Sequence, residues 1–277
     1  LEKVTAFWNT GNLDTQSNVQ FGEGVAGTFS DGKLNTLVKD VSGRNTEVLR
    51  ILTEAGADET ILYCSKPHRG TDVLSRVVKR LREEIISLGG EVRFLTRAAD
   101  LIVQDGAVTA VKTGHPERGE EMIPARAVVL AVGHSARDTF QTLFEKGISM
   151  EAKAFAVGLR IQHPQKQINL SQYGMEDPGT LGAAPYKVTR QTSNGRGVYS
   201  FCMCPGGYVV NASSEPGRLA VNGMSNHARE GINANSALIV TVTPEDFPEM
   251  TAMGGITFQR RLEEAAYRAG AGRIPVQ

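Results

Sequence analysis

The spacing of apolar residues changes twice along the chain, which gives it three textures. Up to about Asp40 the sequence is polar and glycine-rich with little periodicity, so it reads as loop with one short strand at "NVQF". Helical spacing then takes over. In "NTEVLRILTEAGA", Val48, Leu49, Ile51 and Leu52 form an apolar face and Gly56 a stop. A proline-broken connector, "DETILYCSKPHRGT", follows. Beyond it Leu74, Val77, Val78, Leu81, Ile85 and Leu88 recur at three- and four-residue intervals, with Thr71 or Asp72 as cap and Gly89-Gly90 as end.

"EVRFLT" reads as a strand directly after this helix. "AADLIVQDGAVTAVKTG" splits at Asp105-Gly106, a dipeptide suited to a two-residue hairpin turn. "HPERGEEMIP" reads as a charged loop. The unbroken Val/Leu run of "ARAVVLAVGHSARDTFQTLFEKG" predicts a strand buried on both faces, as in a parallel sheet, then a glycine turn and a helix. From Met150 the texture changes to short strands broken by Gly, Pro, Asn and Ser: "FAVGLRIQH", "YKVTRQ", "GVYSFCMC", "GYVVNASS", "RLAVNGMS" and "ALIVTVTP". A last helix places Phe258, Leu262, Ala265 and Ala266 together. The switch near Glu145–Glu151 sets the expected boundary, with an α/β part over 1–149 and a mostly antiparallel, β-rich part over 150–277.

Composition narrows the function classes. The 277 residues carry 30 basic and 30 acidic side chains, so no global charge draws nucleic acid or an anionic membrane. No apolar run approaches the roughly 20 residues of a membrane span. The start, "LEKVTAFWNTG", lacks the basic-then-apolar pattern of a secretory leader. Cys64, Cys202 and Cys204 do not make a disulfide framework, and a reducing cytoplasm is the expected location. Leu1 at the start and "AGRIPVQ" at the end read as the limits of a piece of a longer protein.

Gly22, Gly24 and Gly27 have G-x-G-x-x-G spacing. A dinucleotide fingerprint also needs a buried strand before it, a helix after it and an acidic residue about 20 positions on. Only Val19 and Phe21 are strongly apolar before it, and Ser30, Asp31 and Gly32 stand where the helix would begin. Asp40 is loosely placed for the ribose and lies in a loop. The context rejects a Rossmann start. A surface loop, or a loop whose backbone N–H groups cradle an anionic or planar ligand, remains.

Six stretches, "SNVQFGEGVAGTFSDGKLNT", "SKPHRGTDVL", "VVLAVGHSARDTF", "SFCMCPGGYVV", "NGMSNHAREGINANSALIVTVTPEDF" and "FQRRLEEAAYRAG", strongly resemble the uncharacterised FAD-dependent dehydrogenases of bacteria and plastids, a family of NAD(P)/FAD-dependent oxidoreductases. The resemblance runs from about Phe7 to Gln277. It implies a partial glutathione-reductase-like FAD/NAD(P)-binding domain followed by a β-rich substrate or cap domain. It also implies a parent about twice as long, with the true fingerprint and a flavin-covering segment outside this chain. By the same resemblance, Gly22, Glu23, Gly24, Gly27, Thr28, Ser30, Asp31, Gly32 and Lys33 pass beside the flavin ring. Their backbone N–H groups, or Lys33, would polarise the ring. The family pattern is GEGGAG, and Val25 stands here for its third glycine. Ala98 would meet the adenine through its backbone. Ala131, Val132, Gly133 and His134 would form the ligand-facing end of the core strand, with Val132 in place of the usual Thr.

Other residues carry open readings. Cys202 and Cys204, two apart, fall on one side of a strand; they are buried structural thiols or thiols near substrate or flavin. No zinc spacing accompanies them, and no metal is expected. His134 reads as a proton donor near a flavin, or as a helix cap or surface residue. Arg160 binds an acidic substrate or faces solvent. His68, His115, His163 and His227 read as surface or structural. The leading expectation is a fragment of an FAD-dependent oxidoreductase. It would move hydride between flavin and an unidentified small molecule, with NAD(P)H as a possible donor, and be inactive alone. The alternative is a β-rich binding module in which flavin is structural or absent. Oligomeric state is left open.

Overall fold

The computed structural model describes residues 2–22, 39–63 and 70–274. Three helices come first: α1 (Glu2–Thr10), α2 (Arg44–Glu54) and α3 (Gly70–Ser87). Asp40 starts α2, because its carboxylate accepts the backbone N–H groups of Asn45 and Thr46 and the Thr46 hydroxyl at 2.7–3.0 Å. The Thr46 hydroxyl above all, then those N–H groups, holds the Asp40 carboxyl below its usual range. Asp40 is therefore occupied as a cap. Ala55, Ala57, Ile61 and Val77 form the core between α2 and α3, with Leu49, Leu52 and Leu81 around it. Full burial of Ile61 or Val77 stabilises by roughly 1.5–3 kcal/mol each.

A three-stranded antiparallel sheet follows: β1 (Arg97–Gln104), β2 (Ala107–His115) and β3 (Gly119–Pro124), in that order. Asp105 and Gly106 both have positive φ, 50° and 77°, as the predicted tight hairpin requires. Helix α4 (Arg137–Glu145) packs against β1.

The β-rich part contains β4 (Phe155–Pro164), α5 (Gln165–Tyr173), β5 (Thr189–Gln191), β6 (Gly197–Cys204), β7 (Gly207–Asn211), β8 (Val221–Ser225), β9 (Asn233–Val242) and α6 (Gly254–Ala269). One antiparallel sheet has the order β4-β9-β6-β5, and β4 pairs with β9 along its whole length. The β7–β8 hairpin forms a second sheet that touches β4, β6 and β9. Helix α6 is anchored by Phe258, whose ring meets those of Phe155 and Phe247 at 6.2 and 5.9 Å. Mixed helices and antiparallel sheets agree with the expected α/β plus β-rich class. No parallel strand pair occurs among the described residues, so the glutathione-reductase-like sheet is not seen.

Several sequence expectations are corrected. The first stretch holds helix α1, which buries Val4 and Phe7. "NVQF" is a turn: Asn18 Oδ1 accepts from the Gln20 N–H at 2.9 Å and Asn18 Nδ2 donates to the Asp14 carbonyl at 3.2 Å. Such local bonds compete with a strand ladder. Helix α3 begins at Gly70, so Thr71 and Asp72 fall inside its first turn. "EVRFLT" is not a strand; Leu95 has φ 54° and pairing begins at Arg97. The charged loop instead contains β3, where Lys112 and Glu120 form a cross-strand ion pair at 2.8 Å. Of "YKVTRQ" only Thr189–Gln191 pairs. Helix α5 was not foreseen in its polar sequence; it buries Gln165 and Asn169 side by side, joined at 2.8 Å.

The largest departure is the run "AVVLAV". Residues 125–133 are irregular, and Val129 is 88% exposed. A strand needs a neighbour to take its hydrogen bonds, and no described strand lies beside this run.

Candidate functional site

Three segments distant in sequence converge next to α1. Trp8 Nε1 donates to the Asn211 carbonyl at 2.8 Å, and Gln20 Nε2 donates to the Ala212 carbonyl at 2.7 Å. The other end of the Gln20 amide accepts the Ser135 hydroxyl at 2.8 Å. Ser135 Oγ also lies 3.3 Å from His134 Nε2. The structure thus joins the start of the glycine loop to the end of the apolar run. The flanking glycines Gly22 and Gly133 both have positive φ, 75° and 71°.

Beside this junction is a cavity of about 270 Å³, whose walls include Phe21, Ser135, Arg137, Gln141, Glu215 and Arg260. Arg137, at the start of α4, is only 8% exposed. Its guanidinium donates to Glu215 at 2.5 Å, to both Glu263 oxygens at 2.7 and 3.0 Å and to Gln259 at 3.0 Å. Arg260 donates to both Glu215 oxygens, at 2.6 and 3.1 Å. Burial works against the ionised form of Glu215, but hydrogen bonds from Arg260 and Arg137 and their charges outweigh it, and its pKa is held down to about 2. Burial likewise opposes the Arg137 charge, and Glu263 and Glu215 overcome it. Arg137 Nε is buried without a hydrogen-bond partner. The network binds α4 to α6 and to the loop after β7.

The residues singled out from sequence are placed as follows. Gly22, Gly133 and His134 lie at or next to the junction; His134 is exposed. Ala131 and Val132 belong to the irregular run leading into it. Ala98 is exposed on β1, next to Arg97, which pairs with Asp138 on the cavity wall at 3.7 Å. Glu23, Gly24, Val25, Gly27, Thr28, Ser30, Asp31, Gly32 and Lys33 lie outside the described residues, as do Cys64 and His68.

Cys202 and Cys204 stand elsewhere, in β6 beside Arg160. They do not simply share one side of a strand: the pairing with β9 shifts between Phe201 and Cys204, and Cys202 has φ 46°. Cys204 is fully buried and Cys202 partly so. Arg160 does not merely face solvent; it bonds to this bulge and to Asn235. His163 is half-buried against the Tyr186 ring, and burial lowers its pKa. His115 closes the β2–β3 turn by accepting the Glu117 and Arg118 N–H groups. Gln20, Ser135, Arg137 and Glu215 were not picked out from sequence. Only the position of Ser135 after "VGH" hinted at it.

Among the described residues no group of three His, Cys, Asp or Glu is arranged to hold a metal ion, and no helix is long and apolar enough to cross a membrane. Residues 154–277 match the family model described as FAD-dependent protein, C-terminal domain-like. An uncharacterized protein of Clostridium beijerinckii is 51% identical over 280 residues, covering 100% of this chain and 51% of that protein. The chain therefore spans about half the length of the curated relative it matches, and through its β-rich part it is similar to the C-terminal domains of FAD-dependent proteins.

Proposed function

We propose that this chain is part of an FAD-dependent oxidoreductase, the part that lies against the flavin ring and shapes the substrate side. The observation that carries this reading is the Ser135–Gln20 hydrogen bond, which joins the segments that carry Gly22 and Gly133 and whose neighbours Phe21 and Ser135 line one cavity. The similarity of residues 154–277 to an FAD-dependent C-terminal domain supports it.

The residues at the junction suit one portion of a flavin dinucleotide. At about 270 Å³ the cavity falls just below the roughly 300–1,000 Å³ of small-molecule pockets, so the rest of the group would rest on other parts of the longer protein. Bound FAD supplies two-electron exchange at its ring. Gly22 and Gly133 present backbone without a side chain in the way. Ser135 and Gln20 hold each other at a fixed angle and offer neutral hydrogen-bonding groups. Arg137 also lines the cavity, with its terminal nitrogens committed to Glu215, Glu263 and Gln259. His134, exposed next to Ser135, would pass a proton to or from a substrate in this reading. The chain alone is expected to be inactive.

The test is spectroscopic. Full-length protein is mixed with FAD, passed through a desalting column and read for visible flavin absorbance. Retained flavin bands that bleach with an added electron donor support the reading. Protein that elutes colourless sinks it.

A further inference from the structure

Strand β4 lies at one edge of the β4-β9-β6-β5 sheet. It runs from Phe155 to Pro164, and β9 pairs with it from end to end without a register shift. β9 takes the hydrogen bonds of one side only. Along the other side no backbone group of β4 has a partner among the described residues. Those N–H and C=O groups make a row about 33 Å long.

A row of this kind is a template for another strand, and sheets normally blunt it. The other edges here are blunted. β5 has three residues, β7 and β8 five each, and β3 carries Glu120 and Glu121. β1 is interrupted by two register shifts and is met by α4. β4 is long and unshifted, and its one proline is its last residue. Its Arg160 is drawn into its own sheet, where Nε donates to Asn235 Oδ1 at 2.7 Å and Nη2 to the Cys202 carbonyl at 2.6 Å. One face beside the edge is apolar as well. Val157, Leu159 and Ile161 share it, with Leu238 opposite Leu159 and Val240 opposite Val157. Leu159 is 69% exposed and Leu238 40%.

We infer that β4 is the interface of a homodimer in which two copies pair edge to edge, so that their sheets continue across the axis. A two-fold contact requires that residue i meet j while j meets i. Antiparallel pairing centred on Leu159 meets this condition along almost the whole strand. It sets Leu159 of one copy against Leu159 of the other, Val157 against Ile161 and Phe155 against His163. The row across the joined sheets then reads Leu238, Leu159, Leu159, Leu238. On the opposite face Arg160 falls against Gly158 and Gln162 against Ala156, so no like charges meet. Centring on Arg160 would oppose two guanidinium groups. The edge offers no charged row for an oppositely charged partner, whereas a second copy supplies the same uncharged one. No residue of the flavin reading takes part, and the test reads mass rather than colour, so the two can fail separately.

Sedimentation of the full-length protein over a concentration series is the first measurement, and a dimer is expected. Leu159→Lys sets two ammonium groups against each other at the axis. The side chain is exposed in the single copy, so folding should be kept, and the dimer is expected to weaken about tenfold or more. Mild oxidation then reads the register. Leu159→Cys is expected to give a disulfide-linked dimer above the level of the unsubstituted protein, and Ile161→Cys, which falls opposite Val157, is not. Full-length protein that stays monomeric at every concentration overturns the inference, and so does a dimer unchanged by Leu159→Lys. Cross-linking of Ile161→Cys ahead of Leu159→Cys overturns the pairing centred on Leu159. Should Leu159→Lys not fold, the two cysteine variants decide.

Discussion

Ser135 and Gln20, 115 residues apart, are joined by a 2.8 Å hydrogen bond from the Ser135 hydroxyl to the Gln20 side-chain oxygen. The same Gln20 amide donates to Ala212, so one side chain ties together three segments. Gln20→Leu removes both bonds while keeping similar bulk. Its expected cost is about 1–3 kcal/mol, from two neutral hydrogen bonds at about 0.5–1.5 kcal/mol each. Ser135→Ala removes one bond and is expected to cost about half as much. Urea denaturation measures both; equal stability of all three proteins would show that the junction is not formed in solution.

Arg137 makes the larger contribution to joining α4 with α6. Replacing it with Met leaves Glu215 without one partner and Glu263 without its bidentate one, in a partly buried setting. Removing one member of a buried ion pair costs about 3–5 kcal/mol, so Arg137→Met is expected to fall in that range. Arg137→Lys should recover little, because a single ammonium cannot span Glu215, Glu263 and Gln259 together. Thermal or chemical melts decide, and a loss under about 1 kcal/mol would contradict the network.

Acid should weaken the same network over a defined range. The folded pKa of Glu215, about 2, is below its ordinary value of 4.5, so the unfolded chain takes up its proton first. Stability from Glu215 is therefore fully present above about pH 4.5 and is lost as pH falls from there toward 2. Solvent screens this partly exposed carboxylate, so the contribution is about 1–2 kcal/mol. Arg260→Gln withdraws the leading hydrogen bonds that depress this pKa, so its stability curve should be flatter between pH 5 and pH 2, roughly the span of the shift. Denaturation midpoints across that range test the difference between the two proteins.

Local signals in the sequence were sufficient for some elements and not for others. Asp105-Gly106 needs only its own φ preferences to make a turn, and α3 needs only its spaced Leu and Val residues. β4 and β6 through β9 were legible from short apolar runs between turn residues. Helix α1 gives little signal because only Val4 and Phe7 of its residues are buried, too few to mark a helical face. β3 was missed because its charges sit on an open sheet face, where loop and strand composition look alike. At the candidate site, glycine spacing and the "VGH" turn drew attention to Gly22 and His134. Gln20, Arg137 and Glu215 stayed silent because their meaning lies in partners 115, 126 and 78 residues away. Arg160 was noticed, but its contacts depend on a bulge in β6 and on Asn235 of β9.

Gly158 reports on the β4–β9 pairing. A Cβ at this position would overlap the backbone carbonyl of Leu238, which cannot swing aside as a side chain can. Gly158→Ala is expected to destabilise by about 2–3 kcal/mol or more, the upper range for overpacking. Gly195, in a turn with open space around it, would pay only for its positive φ, so Gly195→Ala should cost about 1 kcal/mol. If the two variants melt together, β4 and β9 are not held in the register from Phe155 to Pro164.

The exposed apolar run separates the behaviour of this chain from that of the longer protein. Val129 is 88% exposed, so Val129→Asp should change the stability of the 277-residue chain by less than about 0.5 kcal/mol, as for other surface sites. The pattern of the run predicts a strand covered on both faces, and in the longer protein proposed above the covering strands would come from its remainder. There the same aspartate would be buried without a partner and should cost several kcal/mol. Retained flavin should fall with it, since Gly133 and His134 are carried at the end of this run. The measurement is a pair of melts, one on each length of protein, with flavin absorbance read on the longer one. A small effect in both would mean that the run stays exposed, and that the covered-strand reading of "AVVLAV" is wrong.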